Sequence, residues 1–216
     1  MIPGSGVRFP RAFVAVFGPA ADRWELRTAV AHDLGPIRRS AGLGFQISSV
    51  GTASPTLGDR SPSAACAFFR GRPFLLSGEF SGQRLLDPAE QERALRNLDG
   101  RFSLLTVGEH SALLATDLLG AGALFWAQRG GHVLASSHLG WLLRALDEVP
   151  RIDRLGMASL LAGYCALSGR TPYEGIRRLQ SCEYLSLDFP PGAPLRIRVG
   201  RYATLPDLLL TSDFDR

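Results

Sequence analysis

The side chains here best fitted for nucleophilic or metal chemistry are three cysteines and four histidines, and their spacing argues against both uses. Cys66, Cys165 and Cys182 stand far apart in apolar or mixed surroundings. No CxxC pair offers a metal or redox site, so each reads as a buried free thiol. His32, His110, His132 and His138 fall at a helix end, in two turns and at a helix start. None has a paired Ser or Cys motif or metal-ligand spacing, and all four read as surface residues. The 24 basic residues are all arginine. Their charges alternate with acids along the chain, and the net +4 forms no basic stripe with interleaved aromatics, which argues against a nucleic-acid surface.

With 216 residues, 45% of them hydrophobic and 20% charged, the chain can bury a proper core as one large domain or as part of a bigger enzyme. "RAFVAVFG", Arg11 to Gly18, has the apolar run and glycine end of a buried strand. "DRWELRTAVAHDLGP" predicts a short surface helix, and the Ser, Gly and Pro content of Ser48 to Ala64 predicts a long loop. "AACAFF" and "FLLSGEF" around "RGRP" predict a hairpin. "DPAEQERALRNLDG" predicts a helix with Asp87 as N-cap, Pro88 at its first position and Gly100 at its end.

"RFSLLTV", "SALLATD", "GALFWAQ" and "HVLASS" read as consecutive antiparallel strands, a meander that needs a second layer to cover it. Two helices are expected to supply that cover. One is "SHLGWLLRAL", with Leu139, Leu142, Leu143 and Leu146 on one face, and the other is "IDRLGMASLLAG", capped by Asp153. "CEYLSLDFPPGAPLRIRVGRY" predicts a hairpin around Pro-Pro-Gly. The pattern is α+β, layered sheets with helices outside. No run approaches the roughly 18 apolar residues of a membrane span, and "MIPGSGVRFP" has no signal-peptide pattern, so a cytoplasmic chain is expected.

Several blocks together resemble one family in their order. "NLDGRFSLL", "ATDLLGAGALFWAQRGGHVLASSHLGWLL" and "GRTPYEGIRRLQSCEYLSLD" resemble successive blocks of asparagine synthetases, from about Arg11 to Tyr202. The chain looks like the N-terminal, class II glutamine amidotransferase-like domain of that superfamily, which includes β-lactam synthetases and lasso peptide cyclases. The resemblance implies a four-layer αββα sandwich of the N-terminal-nucleophile type over residues 1–202, with 203–216 as a tail or linker toward a synthetase domain or partner. Leu205, Leu208, Leu209 and Leu210 make that tail the expected edge of a contact.

In the active family a mature N-terminal cysteine attacks glutamine while its own α-amine serves as base. The resemblance places Arg11 at that position, where a permanent cation is no nucleophile, and ten residues precede it, so its nitrogen is an internal amide. The family's "NGEIYN" is matched by "SGEFSG", with Ser77 in place of the asparagine donor while Gly78 and Glu79 remain as a degenerate substrate pocket. The arginine of "HRGPD" and the acid of "SDTE" have no clear match. Gly78, Gly100 and Gly120 read as backbone positions, Glu79 and Asp117 as fold-stabilising acids. Cys66 reads as core rather than as a nucleophile freed by cleavage.

No catalytic residue or metal site is therefore expected. The chain has no "SGGxDS" phosphate loop, so ATP and Mg are implied for a partner domain. Three functions stay open: a non-catalytic domain or subunit supporting an ATP-dependent amide ligase, a stand-alone small-molecule or peptide-binding or regulatory protein, and an unusual glutaminase; the isolated chain is expected to self-associate or to bind a synthetase subunit through its tail. Separation of the three rests on the partner and on a glutamine assay.

Overall fold

The computed structural model describes residues 12–19, 21, 37–42, 44–50, 66–77, 81–146, 148–163 and 167–204. The helix expected in "DRWELRTAVAHDLGP", most of the 48–64 loop and the 205–216 part of the tail lie outside them. The described strands form two antiparallel sheets. In sheet A the order is β2 (Ile37–Gly42), β3 (Phe45–Val50), β1 (Ala12–Phe17), β8 (His132–Ser136), β7 (Phe125–Arg129), β9 (Ile176–Arg178). In sheet B it is β11 (Arg196–Arg201), β10 (Glu183–Asp188), β6 (Ser111–Thr116), β5 (Leu98–Val107), β4 (Cys66–Leu75).

β1 explains why its sequence is apolar throughout rather than alternating. Phe13, Ala15 and Phe17 pack toward sheet B with Leu105, Leu114, Leu185 and Leu187. Val14 and Val16 pack on the other face against Trp141, Leu142 and Ala145 of α3 (Leu139–Ala145). A strand buried on both faces has no polar side to show. Sheet B repeats the arrangement. Leu105 and Val107 face the inter-sheet core, while Phe102 and Leu104 meet Leu85 and Leu95 of α1 (Gly82–Leu86) and α2 (Gln91–Arg96). Three apolar layers between four structural ones make the αββα sandwich.

Several local expectations are corrected. Ser48 to Val50 belong to β3, paired with Ala12 to Val14, so the loop begins later than its composition implies. Cys66 to Leu75 is a single strand, not a hairpin. Arg70 to Pro73 pair with Ser103 to Gly100 of β5. β4 is a sheet edge, where a residue with no N–H to donate is tolerated.

Asp87 accepts the Ala89 amide at 2.9 Å but caps a turn that follows α1, so Pro88 is not helical: α2 begins at Gln91, after Glu90, and ends at Arg96, since Leu98 already begins β5. Gly100 lies inside that strand at φ 94°, a conformation open to glycine. The expected meander is two hairpins in two sheets: β5 pairs with β6 and β7 with β8, and residues 117–124 carry the chain across.

α4 (Arg154–Gly163) starts where expected, with Asp153 Oδ1 accepting the amides of Leu155 and Gly156, each at 3.0 Å. The Gly156 amide foremost, with help from Arg170, holds the Asp153 carboxyl below its ordinary range against the opposing effect of burial. This helix is not the expected cover. It buries Gly156 and Ser159 and leaves Leu155 and Leu161 60% and 72% exposed.

Gly156 lets α4 sit on the backbone of the Thr171 segment, since a Cβ there would lie 2.0 Å from the Thr171 carbonyl oxygen. Alanine normally improves a helix by about 1 kcal/mol over glycine. Gly156→Ala is nevertheless expected to destabilise the protein by about 1–3 kcal/mol through overpacking, read by urea denaturation. A gain in stability would show that α4 is not seated as described.

Candidate functional site

The strands run between two common ends of the sandwich. At one, the Gly18 amide donates to the Gly44 carbonyl at 2.8 Å, and Gly44 abuts the Phe189 ring. Phe189 in turn donates its amide to His110 in the β5–β6 turn. β4 starts here too, with Cys66 opposite Val107. The start of β1, the end of β8 and the end of β4 therefore lie at the opposite end. The fold thus gathers the strand that follows Arg11 and the loop that begins with Ser77 at one rim, although they are far apart in sequence. Arg11, Gly78 and Glu79 themselves lie outside the described residues.

The start of β1 is clamped by serines. Ser137 Oγ accepts the Phe13 amide at 3.0 Å, the Ser137 amide donates to the Phe13 carbonyl at 3.1 Å, and Ser136 Oγ donates to the same carbonyl at 2.7 Å. Ser136 and Ser137 are buried. Ser137 Oγ also lies 3.2 Å from His138 Nδ1, and the His138 ring stands 5.8 Å from that of Trp141. His138 is thus built into the rim rather than being a simple surface residue. His110 and His132 are likewise half-buried, and His32 lies outside the described residues.

Ser77 is held by a residue that the sequence did not single out. Its amide and its hydroxyl both donate to Asn97 Oδ1, at 3.0 and 2.9 Å. Asn97 Nδ2 donates back to the Ser77 carbonyl, and the Leu76 amide donates to the Asn97 carbonyl at 3.0 Å. The Asn97 carboxamide imitates one more residue of a partner strand, extending the β4–β5 ladder past the Leu75–Leu98 pair. A hydroxyl has one proton, and here it is directed at Asn97. The available signal was only an Asn between a helix and a strand, where such side chains bond to nearby backbone.

Asp117 is a structural acid, as expected. Its buried carboxylate accepts four amides: Leu119 and Ala121 on Oδ1 at 2.9 and 3.0 Å, Phe102 and Gly122 on Oδ2 at 3.1 and 3.0 Å. Gly120, at φ 62°, donates to the Asp117 carbonyl at 3.0 Å and is the turn residue expected. Cys182 is a free, buried thiol whose pKa burial pushes up. That suits a core residue and not a nucleophile. Among the described residues, no group of acid, imidazole or thiol side chains could hold a metal. No helix among them is long and apolar enough to cross a membrane.

Residues 89–190 match the family model described as a glutamine amidotransferase domain. No curated protein matches the sequence significantly. Among solved structures, the chain is similar to "the allosteric regulatory enzyme of purine biosynthesis", with a TM-score of 0.54 at 12% identity. It is similar to the same degree, TM-score 0.54 at 11% identity, to glutamine phosphoribosylpyrophosphate amidotransferase from B. subtilis complexed with ADP and GMP. Each alignment covers 89% of this chain and 49% of the other, so the chain spans about half the length of these structures. At such identity the likeness is one of fold, and it agrees with the two sheets and three apolar layers described above. The chain carries a glutamine amidotransferase-like domain of the N-terminal-nucleophile hydrolase fold.

Proposed function

We propose that this domain is non-catalytic and supports an ATP-dependent amide-bond-forming synthetase of the asparagine synthetase, β-lactam synthetase or lasso cyclase type, in the cytosol. The observation that carries the reading is the use of Ser77. The residue that replaces the family's amide donor directs its hydroxyl proton at Asn97, and the residue before β1 is Arg11, a permanent cation. A domain that keeps the amidotransferase scaffold without those two functions suits a ligase whose amine comes from the substrate itself. ATP and Mg then belong to the synthetase part, through an "SGGxDS" loop that this sequence lacks.

The exposed apolar side chains of α4 support a partner as well. Leu155 and Leu161 in water are a cost that a covering domain would remove. The test is co-expression with a chain carrying "SGGxDS" from the neighbouring coding region. Stable co-purification is expected, and Leu155→Asp with Leu161→Asp is expected to weaken it at least tenfold while the circular dichroism spectrum stays unchanged. Failure to associate with any such chain would remove the reading.

A further inference from the structure

On the outer side of sheet B, between the end of β4 and the two short helices, lies a cleft of about 450 Å³. Arg84, Arg93, Arg96 and Glu90 supply its charge, Ser81 and Ser77 hydroxyls, Asn97 a carboxamide, and Leu75, Leu85 and Ala94 an apolar floor. Three guanidiniums thus face one carboxylate. Glu90 Oε2 is 3.4 Å from Arg84 Nε, and the neighbouring Glu92 accepts the Tyr184 hydroxyl at 2.7 Å. Neither acid is paired with Arg93 or Arg96. These two stand at positions i and i+3 of α2, neighbours on one helix face, where like charges repel. The carbonyl end of a helix carries only about half a charge, so a six-residue helix does not neutralise both.

The donors are also partly positioned in advance. Arg96 gives its Nε to the Tyr202 carbonyl, which fixes the stem and leaves the terminal nitrogens as a fork. Arg84 uses Nε toward Glu90 in the same way. Ser81 Oγ accepts the Arg84 amide at 3.4 Å, and its own proton remains available. Guanidinium forks match the paired oxygens of phosphate and carboxylate groups, and the volume is that of a small-molecule site.

We propose that this cleft binds a small multiply charged oxyanion, a phosphate- or carboxylate-bearing molecule with a short apolar part, through Arg93 and Arg96. The anion removes the repulsion between the two guanidiniums, and its apolar part covers Leu75 and Leu85. The cleft adjoins the rim through Ser77 and Asn97, but its arginines lie on the outer helices, and the proposal does not depend on the domain's working beside a synthetase.

Calorimetric titration with inorganic pyrophosphate and with glutarate, at matched ionic strength, tests the proposal and separates the two head groups. At least one anion is expected to bind with a dissociation constant below about 1 mM, where guanidinium pairing holds a small anion. Binding of one alone identifies the head group. Arg93→Gln, which leaves the Arg96–Tyr202 contact in place, is expected to weaken binding at least tenfold, and Arg93→Gln with Arg96→Gln to abolish it. Without ligand, the single variant is expected to unfold at the same temperature as the parent or higher, because a repulsion is gone. Arg154→Gln on α4 removes the same net charge elsewhere and is expected to bind normally. No binding of either anion, or equal binding by the parent and the double variant, overturns the proposal, as does equal weakening by Arg154→Gln.

Discussion

Incubated with glutamine, the purified chain is expected to release no ammonia above the buffer blank. The attacking thiol is replaced by the Arg11 guanidinium, which has no lone pair to offer at neutral pH. Loss of a nucleophile from a working constellation costs on the order of 10⁶ in rate. Loss of an oxyanion donor typically costs a further 100- to 1,000-fold, and the Ser77 hydroxyl proton is directed at Asn97. A coupled glutamate assay reads the result, with Cys66→Ala in parallel. Turnover that disappears in that variant would establish a thiol mechanism and overturn the expectation. Arg11→Cys alone is expected to stay silent, because Ser77 and its tie to Asn97 are unchanged by it. Appreciable hydrolysis by that variant would show the oxyanion donors to be intact.

Asp117→Ala is expected to be the most destabilising single change in the domain. It would strip an acceptor from four amides, that of Phe102 buried and those of Leu119, Ala121 and Gly122 partly so. An unsatisfied buried donor costs about 1–3 kcal/mol and a partly buried one less, so a loss of about 3–4 kcal/mol is expected, a large share of the 5–15 kcal/mol that holds a typical domain. The melting temperature falls by roughly 10 °C at this chain length.

Asp117→Asn keeps the volume but turns an amide group toward two N–H donors, and is expected to lose about half as much. Denaturant titrations of both variants decide it. A melting temperature within about 2 °C of the parent would show that the carboxylate does not hold the crossing. The same measurement separates a structural acid from a catalytic one, because loss of a purely catalytic acid would leave the fold's stability intact.

The pattern of residues made much of this domain legible. β1 was visible as "AFVAVF", the β10–β11 hairpin as alternation around Pro-Pro-Gly, and the start of α4 as an Asp cap, because each signal is local. Backbone geometry and the two- or 3.6-residue period act within a few residues. The order of the blocks that resemble asparagine synthetases points to the amidotransferase-like fold, and the position of Arg11 to a missing nucleophile. The β2–β3 hairpin leaves no local trace, since "IRRSAG" offers little apolar contrast. β4 reads as two strands because Gly71 and Pro73 punctuate a chain locally, whereas pairing with ten residues of β5 overrides that preference at a sheet edge.

Only the tertiary structure decided which sheet each strand joins. "SALLAT" and "FWAQR" look like successive members of one meander, and nothing in their own periodicity separates them. The separation is made by the segment between, where the Asp117 carboxylate gathers the amides of Leu119, Ala121 and Gly122 and turns the chain from sheet B to sheet A. The same holds at the rim. The sequence by itself determined that the nucleophile position is occupied by arginine and the donor position by serine. That the serine's proton is turned toward Asn97, 20 residues away, follows from the pairing of β4 with β5, which is a contact between distant segments and has no periodic trace in either.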